Sequence, residues 1–330
     1  MNKKLVAVAI AAAVAAPAAM ANDTTLYGKV HMSINNSDTN DAWNVSNHAS
    51  RLGVKGSEDL GNGLKAIFQY EMSYSGVDSS TAIGSARNSY IGLAGDFGQV
   101  RVGRHDTPNK VAFYAAGNER LADSIIDLNS NFGFQELRTS NAIAYISPSF
   151  SGLTVAAAVV PGEAVGQGPL TPVTDADGIA DAYSVGVMYS GGGLKASVGY
   201  TDGSDLVGLS DATLLNVGAT YTMDNFSIGG QYQESEAGPG GFPDKEAWVL
   251  TGTAGFGNNT LIVMYGNAED DNGVDADTLG LAVTHKMSKR TSAYVAYRNT
   301  DDTAVPSAWI GNGGTTAGGD AFGVGMIHTF

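Results

Sequence analysis

Apolar and polar residues alternate with a period of two along nearly the whole chain. In the closing stretch AFGVGMIHTF, Phe322, Val324, Met326, His328 and Phe330 share one parity, and Ala321, Gly323, Gly325 and Thr329 hold the other. Leu26, Gly28, Val30 and Met32 alternate with Tyr27, Lys29, His31 and Ser33 in the same way, as do Leu215, Val217, Ala219 and Tyr221 with Asn216, Gly218 and Thr220. A period of two is that of a β-strand with two unlike faces. The pattern predicts about sixteen strands, at 24–34, 48–57, 63–73, 86–95, 98–104, 137–147, 152–160, 182–190, 194–200, 213–221, 226–233, 246–254, 260–267, 277–286, 291–298 and 321–330.

The connections alternate as well. DLGNG, GDFG, SPSFSG, SGGG, TMDN, GFGNN and MSKR follow the even-numbered segments and read as tight turns, whereas about ten residues or more follow the odd-numbered ones. That is the signature of an up-and-down antiparallel sheet with two different ends. One face is apolar throughout and the other carries Ser, Thr, Gln, Lys and Glu, so the apolar face has to meet lipid around a wet interior. Tyr189 and Tyr221 adjoin short turns, and Tyr200, Tyr232, Tyr265 and Tyr297 adjoin long loops, which places an aromatic girdle at each interface. A soluble β-sandwich requires neither girdles nor alternating loop lengths. The expected fold is all-β: a transmembrane antiparallel up-and-down barrel of about sixteen strands. A sheet cannot leave unpaired edges in hydrocarbon, so 321–330 is expected to pair with 24–34, with Phe330 facing lipid at the short-turn rim.

Composition narrows the class. MNKKLVAVAIAAAVAAPAAMA has two lysines, an apolar run from Leu5 to Ala16 and the small-x-small site Ala19-Met20-Ala21, so residues 1–21 read as a secretory signal peptide and 22–330 as one barrel domain. With no cysteine, neither disulfides nor thiolate chemistry is possible. Net charge is −15, and loss of Lys3 and Lys4 with the leader would make it −17, which argues against a nucleic-acid partner. There is no G-x-S-x-G or H-E-x-x-H, and the five histidines are scattered, so no catalytic residue, metal or cofactor is expected. AEDDNGVDAD lacks the oxygen spacing of a calcium loop.

LYGKV, SRLGVKGSEDLGNGLKAIFQYE, RNSYIGLAGDFGQVRVGR, RTSNAIAYISPSFSGL, MSKRTSAYVAY and the terminal IHTF together resemble the general porins of Gram-negative outer membranes. The resemblance implies a homotrimeric channel passing ions and small hydrophilic solutes by passive diffusion, in contact with outer-membrane lipid and lipopolysaccharide. It also implies that Phe330 is part of the signal read by the barrel-assembly machinery. Outward Gly28, Gly56, Gly92 and Ala94 would supply a flat contact face for the trimer. The resemblance further implies that the loop at about 105–136, the third external one, folds inward and narrows the pore. Lys29, Arg51, Lys55, Arg87 and Arg138 match the family's basic wall at the constriction, all expected on the polar parity. Glu119, Asp123 and Asp127 recur every four residues, which would put them on one side of a helical turn as the opposing acids. The depth of Arg101 is not determined by the sequence. A barrel acting mainly as adhesin or receptor would use the same external loops, and a barrel hydrolase would need a His, an acid and a nucleophile on adjacent strands.

Overall fold

The structure is a computed structural model describing residues 23–38, 42–75, 83–162, 178–203, 212–236, 244–301 and 318–330. The proposed leader at 1–21 lies outside these residues. The strands are β1 (Asp23–Ser37), β2 (Ala42–Asn47), β3 (Arg51–Gly61), β4 (Leu64–Tyr74), β5 (Ile83–Gly95), β6 (Gly98–Asp106), β7 (Arg138–Ile146), β8 (Leu153–Val160) and β9 (Ala182–Gly191). They continue with β10 (Leu194–Asp202), β11 (Thr213–Met223), β12 (Phe226–Glu236), β13 (Lys245–Phe256), β14 (Asn259–Asp270), β15 (Asp275–Lys286), β16 (Thr291–Thr300) and β17 (Gly319–Thr329). Two short helices, α1 (Pro108–Ala115) and α2 (Leu128–Asn131), lie between β6 and β7.

Each strand from β3 onward pairs antiparallel with its successor, and β17 returns to β1 with Lys29 opposite Thr329 and Ser37 opposite Ala321. The ring from β1 through β3 to β17 is therefore closed, as required of a sheet in hydrocarbon. Closure holds the chain end: the Gly28 N–H donates to the Phe330 carbonyl and the Phe330 N–H to the Gly28 carbonyl, each at 3.1 Å. Phe322, Val324, Met326 and Phe330 are all exposed, on the outer face with Leu26, Ile34, Val198, Val217 and Val295.

The count is seventeen rather than sixteen because an extra short strand, β2, forms in the stretch read as a loop between the predicted strands 24–34 and 48–57. β1 pairs with β3 over Asp23–Lys29 and with β2 over Met32–Ser37, so β2 and β3 share one place in the ring. The break between them falls at residues 48–50, where Ala49 has φ of 46°. The connections differ from expectation at the same end. All seven short turns are present, but the opposite connections at 38–41 and 271–274 are also short, because β1, β2, β14 and β15 run on into the predicted loops. In the second of these, Asp270 Oδ1 accepts from the Asn272 and Val274 N–H groups at 3.0 Å, so the acidic stretch forms a self-satisfied turn.

Two facings also need correction. Gly92 lies opposite Arg101 and Ala94 opposite Gln99, while Ile91 and Leu93 are exposed with Val100 and Val102, so Gly92 and Ala94 point inward. Of the four residues proposed as a flat outer face, Gly28 lies under the Phe330 ring and Gly56 under Phe68. The inner face is not uniformly polar either. Ala247, Val249, Ile262, Met264, Ala282, Tyr294 and Ala296 form an apolar patch on the inner faces of β13–β16.

Candidate functional site

The 107–137 segment lies against that inner face, and its sequence explains how. Thr107 caps α1, its Oγ1 accepting from the Lys110 N–H at 3.2 Å, and Pro108 supplies a preset first turn. The helix lies close to β9–β11 because those strands present glycines: a Cβ at Gly186 would come 2.5 Å from the Pro108 carbonyl oxygen, and one at Gly218 2.7 Å from Ala116. Asn109 donates from its backbone to Ser184 Oγ at 3.0 Å and from its side chain to the Leu214 carbonyl at 2.8 Å. Buried Asn118 donates to the Gly230 carbonyl at 2.8 Å and accepts from Thr220 and Thr251 hydroxyls at 3.0 and 2.9 Å. Farther along, Ile126, Leu128, Phe132 and Phe134 are buried on the apolar patch of β13–β16. Polar anchors at one end and apolar burial at the other leave the segment's remaining edge facing β1, β3, β5 and β7.

Along that edge lies an opening of about 590 Å³, lined by Lys29, Arg51, Arg87, Lys110 and Arg138 and by Asp106, Asp123, Asp127 and Glu136. Each cation is ion-paired. Lys29 Nζ and Arg51 Nη2 both donate to Asp123 Oδ2, at 2.8 and 3.1 Å. Arg87 Nε donates to Glu71 Oε1 at 2.7 Å, and Arg138 Nη2 to Asp106 Oδ1 at 2.7 Å. Lys110 bridges Asp106 at 3.4 Å and Glu136 at 2.7 Å. Asn88 joins this group, donating to Asp106 Oδ2 at 2.8 Å and accepting from Arg138 Nε at 2.9 Å.

Of the predicted basic residues, Lys29, Arg51, Arg87 and Arg138 line the opening and Lys55 does not. Lys55 is exposed nearer the short turns, its Nζ 5.2 Å from the Tyr27 ring centroid. Arg87 gets there by an irregularity that the alternation does not reveal. It has the parity of outward Ile91 and Leu93, but the β4–β5 register shifts between Tyr70–Ser89 and Met72–Ala86. Such a bulge turns a side chain to the other face. A second shift lies between Gly103 and His105 on the β6–β7 pair.

The acids separate. Residues 119–127 form turns, not a helix, with Asp123 at φ 63°, so the four-residue spacing does not align their side chains. Asp123 pairs with the wall, and Asp127 Oδ2 accepts from the Asp123 backbone N–H. Glu119 is turned away: its carboxyl is enclosed, Oε2 accepting from the Leu128 N–H at 2.9 Å. Burial and the nearby Asp127 push the Glu119 carboxyl well above the ordinary range, against the Leu128 hydrogen bond. For Asp123, burial alone would raise it, but Lys29 and Arg51 together outweigh burial and hold it below the ordinary value.

Sequence reasoning missed Glu71, Asp106, Lys110 and Glu136. Glu71 was the most accessible of these, since it shares a parity with Gln69. The other three acquire meaning only once the 107–137 segment is placed. Among the described residues no group of three or more His, Asp or Glu side chains is arranged to hold a metal ion.

Comparison with known proteins gives a consistent result. The pattern of a family described as Gram-negative porin matches residues 7–304. The chain is 28% identical to outer membrane porin protein 32 of Delftia acidovorans, with both chains fully covered. It is also 28% identical to the major outer membrane protein P.IB of Neisseria meningitidis, again over 100% of each. Among solved structures, an anion-selective porin from Comamonas acidovorans matches with a TM-score of 0.72 and 26% identity over 94% of this chain and 100% of that one. A loop-deleted OmpT of Vibrio cholerae shares the fold at a TM-score of 0.70 and 19% identity, over 94% and 100% of the two chains.

Proposed function

The chain belongs to the Gram-negative porin family, and from that premise we propose that the 107–137 segment and the wall of β1, β3, β5 and β7 form the constriction of its channel. As a porin it is an outer-membrane β-barrel providing a water-filled path for passive diffusion of ions and small hydrophilic solutes. The observation that carries the constriction reading is the ion-paired opening, where a loop carboxylate meets two wall cations: Asp123 with Lys29 and Arg51. Lys110 and Glu136 bring a second set of loop charges to Asp106 on the wall. Fixed charges of both signs in a narrow, partly low-dielectric passage orient polar solutes, while apolar ones must displace ordered water. The loop therefore narrows the path on one side and leaves a charged passage on the other.

The same reading assigns no catalysis to the chain: transport here is downhill, and the charged groups act by position. A homotrimer is part of the proposal, as are contacts with outer-membrane lipid and lipopolysaccharide and delivery by the barrel-assembly machinery through Phe330. With Gly92 and Ala94 inward, a trimer face on the first strands would be built from Leu26, Val30, Leu52 and Tyr70, all exposed. Purified protein in planar bilayers tests the function: discrete conductance steps are expected, and Asp123→Asn is expected to move the reversal potential in a salt gradient toward anion preference. Steps with a reversal potential unmoved by that substitution at low salt would remove Asp123 from the constriction.

A further inference from the structure

Below the ion-paired opening, toward the short turns, a second polar network occupies the inner wall. Tyr27 Oη donates to Glu71 Oε2 at 2.9 Å, so the network starts on the carboxylate that holds Arg87. Gln69 joins the two tyrosines, its Nε2 donating to Tyr27 Oη at 2.8 Å and its Oε1 accepting from Tyr90 Oη at 3.1 Å. A cation lies over each ring: Lys55 Nζ is 5.2 Å from the Tyr27 centroid and Arg101 Cζ 4.6 Å from that of Tyr90. Room for the Tyr27 ring comes from Gly53, where a Cβ would stand 2.5 Å from it. Arg101 is steered by a neutral acceptor, its Nε and Nη2 donating to Gln99 Oε1 at 3.1 and 2.6 Å.

The contrast with the opening is one of compensation. Lys29, Arg51, Arg87, Lys110 and Arg138 all have a carboxylate partner, whereas Lys55 and Arg101 have none among the described residues. An ion pair projects little net field beyond its own neighbourhood, while an uncompensated cation acts out to about the Debye length, roughly 10 Å at 0.1 M salt. A tyrosine face holds a cation in place without cancelling its charge.

Resting on the channel reading above, we propose that Lys55 and Arg101 are specificity-determining residues: a cationic step on the short-turn side of the constriction that favours anionic solutes, carboxylates or phosphates among them. From Arg51 to Lys55 is four residues, about 13 Å at the rise of a strand. A solute anion leaving the opening therefore meets the step within one or two Debye lengths.

The test is reversal potential in planar bilayers at low salt. Lys55→Gln with Arg101→Gln is expected to move it toward cation preference, and by more than Glu71→Gln with Arg87→Gln, which removes one charge of each sign. An equal or larger shift in the second pair, or none in the first, overturns the assignment. The absence of cysteine permits a cleaner arm. In Lys55→Cys, a cationic thiol reagent is expected to restore anion preference and an anionic one to drive the channel further toward cations, with modification verified by mass. Shifts of the same sign with both reagents, or with neither, sink the proposal. Protein that inserts without any conductance overturns the channel reading, a result distinct from conductance with unaltered selectivity.

Discussion

Glu119 and Asp123 are both acids of one short loop, yet their environments make opposite demands. Asp123 is ionised against Lys29 and Arg51, and its carboxyl titrates below the ordinary range. A carboxyl with a depressed native pKa contributes stability that is complete above its unfolded value and lost as pH falls through the native one. The Asp123 pairs are therefore expected to survive acidification to below the usual carboxylate range, read as constant selectivity down to that point. Glu119 has the reverse sign. Its raised native pKa means that the proton-bound form fits the fold, with stability present below the unfolded value and lost as pH rises through the native one. Raising pH through that point is expected to loosen the loop and increase open-channel noise. Glu119→Gln should abolish this noise and leave selectivity as it is, since its carboxyl does not face the opening. Persistence of the pH-dependent noise in Glu119→Gln would exclude that carboxyl as its source.

Within single elements, strand parity makes the strongest statement. Val217 is 41% exposed on the outer face of β11 and Asn216 fully buried on the inner one. Val217→Arg is expected to cost about 2–4 kcal/mol if near the bilayer midplane, measured as lost refolding into lipid. Asn216→Arg does not serve as the inward control because Asn216 Oδ1 accepts from Gln231 beneath α1. Thr253 on β13, on the inner face opposite Ser227, is the better control and should accept Arg with a change of conductance only. The loop makes a different prediction. Phe132 is buried against Met264 and its neighbours, outside the strands. Phe132→Ala should enlarge and destabilise the conductance level while the barrel keeps its thermal transition. A lowered barrel transition with normal conductance would mean that the patch supports the wall rather than the loop.

At the scale of the whole molecule, closure and screening dominate. Deleting Phe330 removes both backbone hydrogen bonds to Gly28 and the ring that covers it. Reduced yield of heat-resistant folded barrel with normal export is expected, and an unchanged yield would detach the terminus from assembly. All selectivity shifts should shrink with salt, because near 1 M the Debye length is roughly 3 Å, shorter than the distance across a hydrated passage.

The fold class was readable from one-dimensional chemistry because each strand in a lipid-facing barrel must repeat the same two-faced alternation, and unpaired edges in hydrocarbon are too costly to leave open. Hence the strand positions other than β2, the seven tight turns, the outer apolar band and the pairing of the last strand with the first follow from residue order alone, as does the inward facing of Lys29, Arg51 and Lys55. Tertiary structure decided where alternation breaks and what long loops touch. The bulge that turns Arg87 inward leaves no mark in composition, and the spacing of Glu119, Asp123 and Asp127 carries no facing without a helix. Glu71 meets Arg87 across β4–β5, Asp106 meets Arg138 across β6–β7 and Lys110 on α1, and Asp123 reaches Lys29 and Arg51 from a loop whose approach is set by glycines on the wall and an apolar patch across the barrel. Except for Asp106 with Lys110, an i,i+4 pair, those contacts join separate strands or the loop to the wall, and their geometry exists only once the ring has closed.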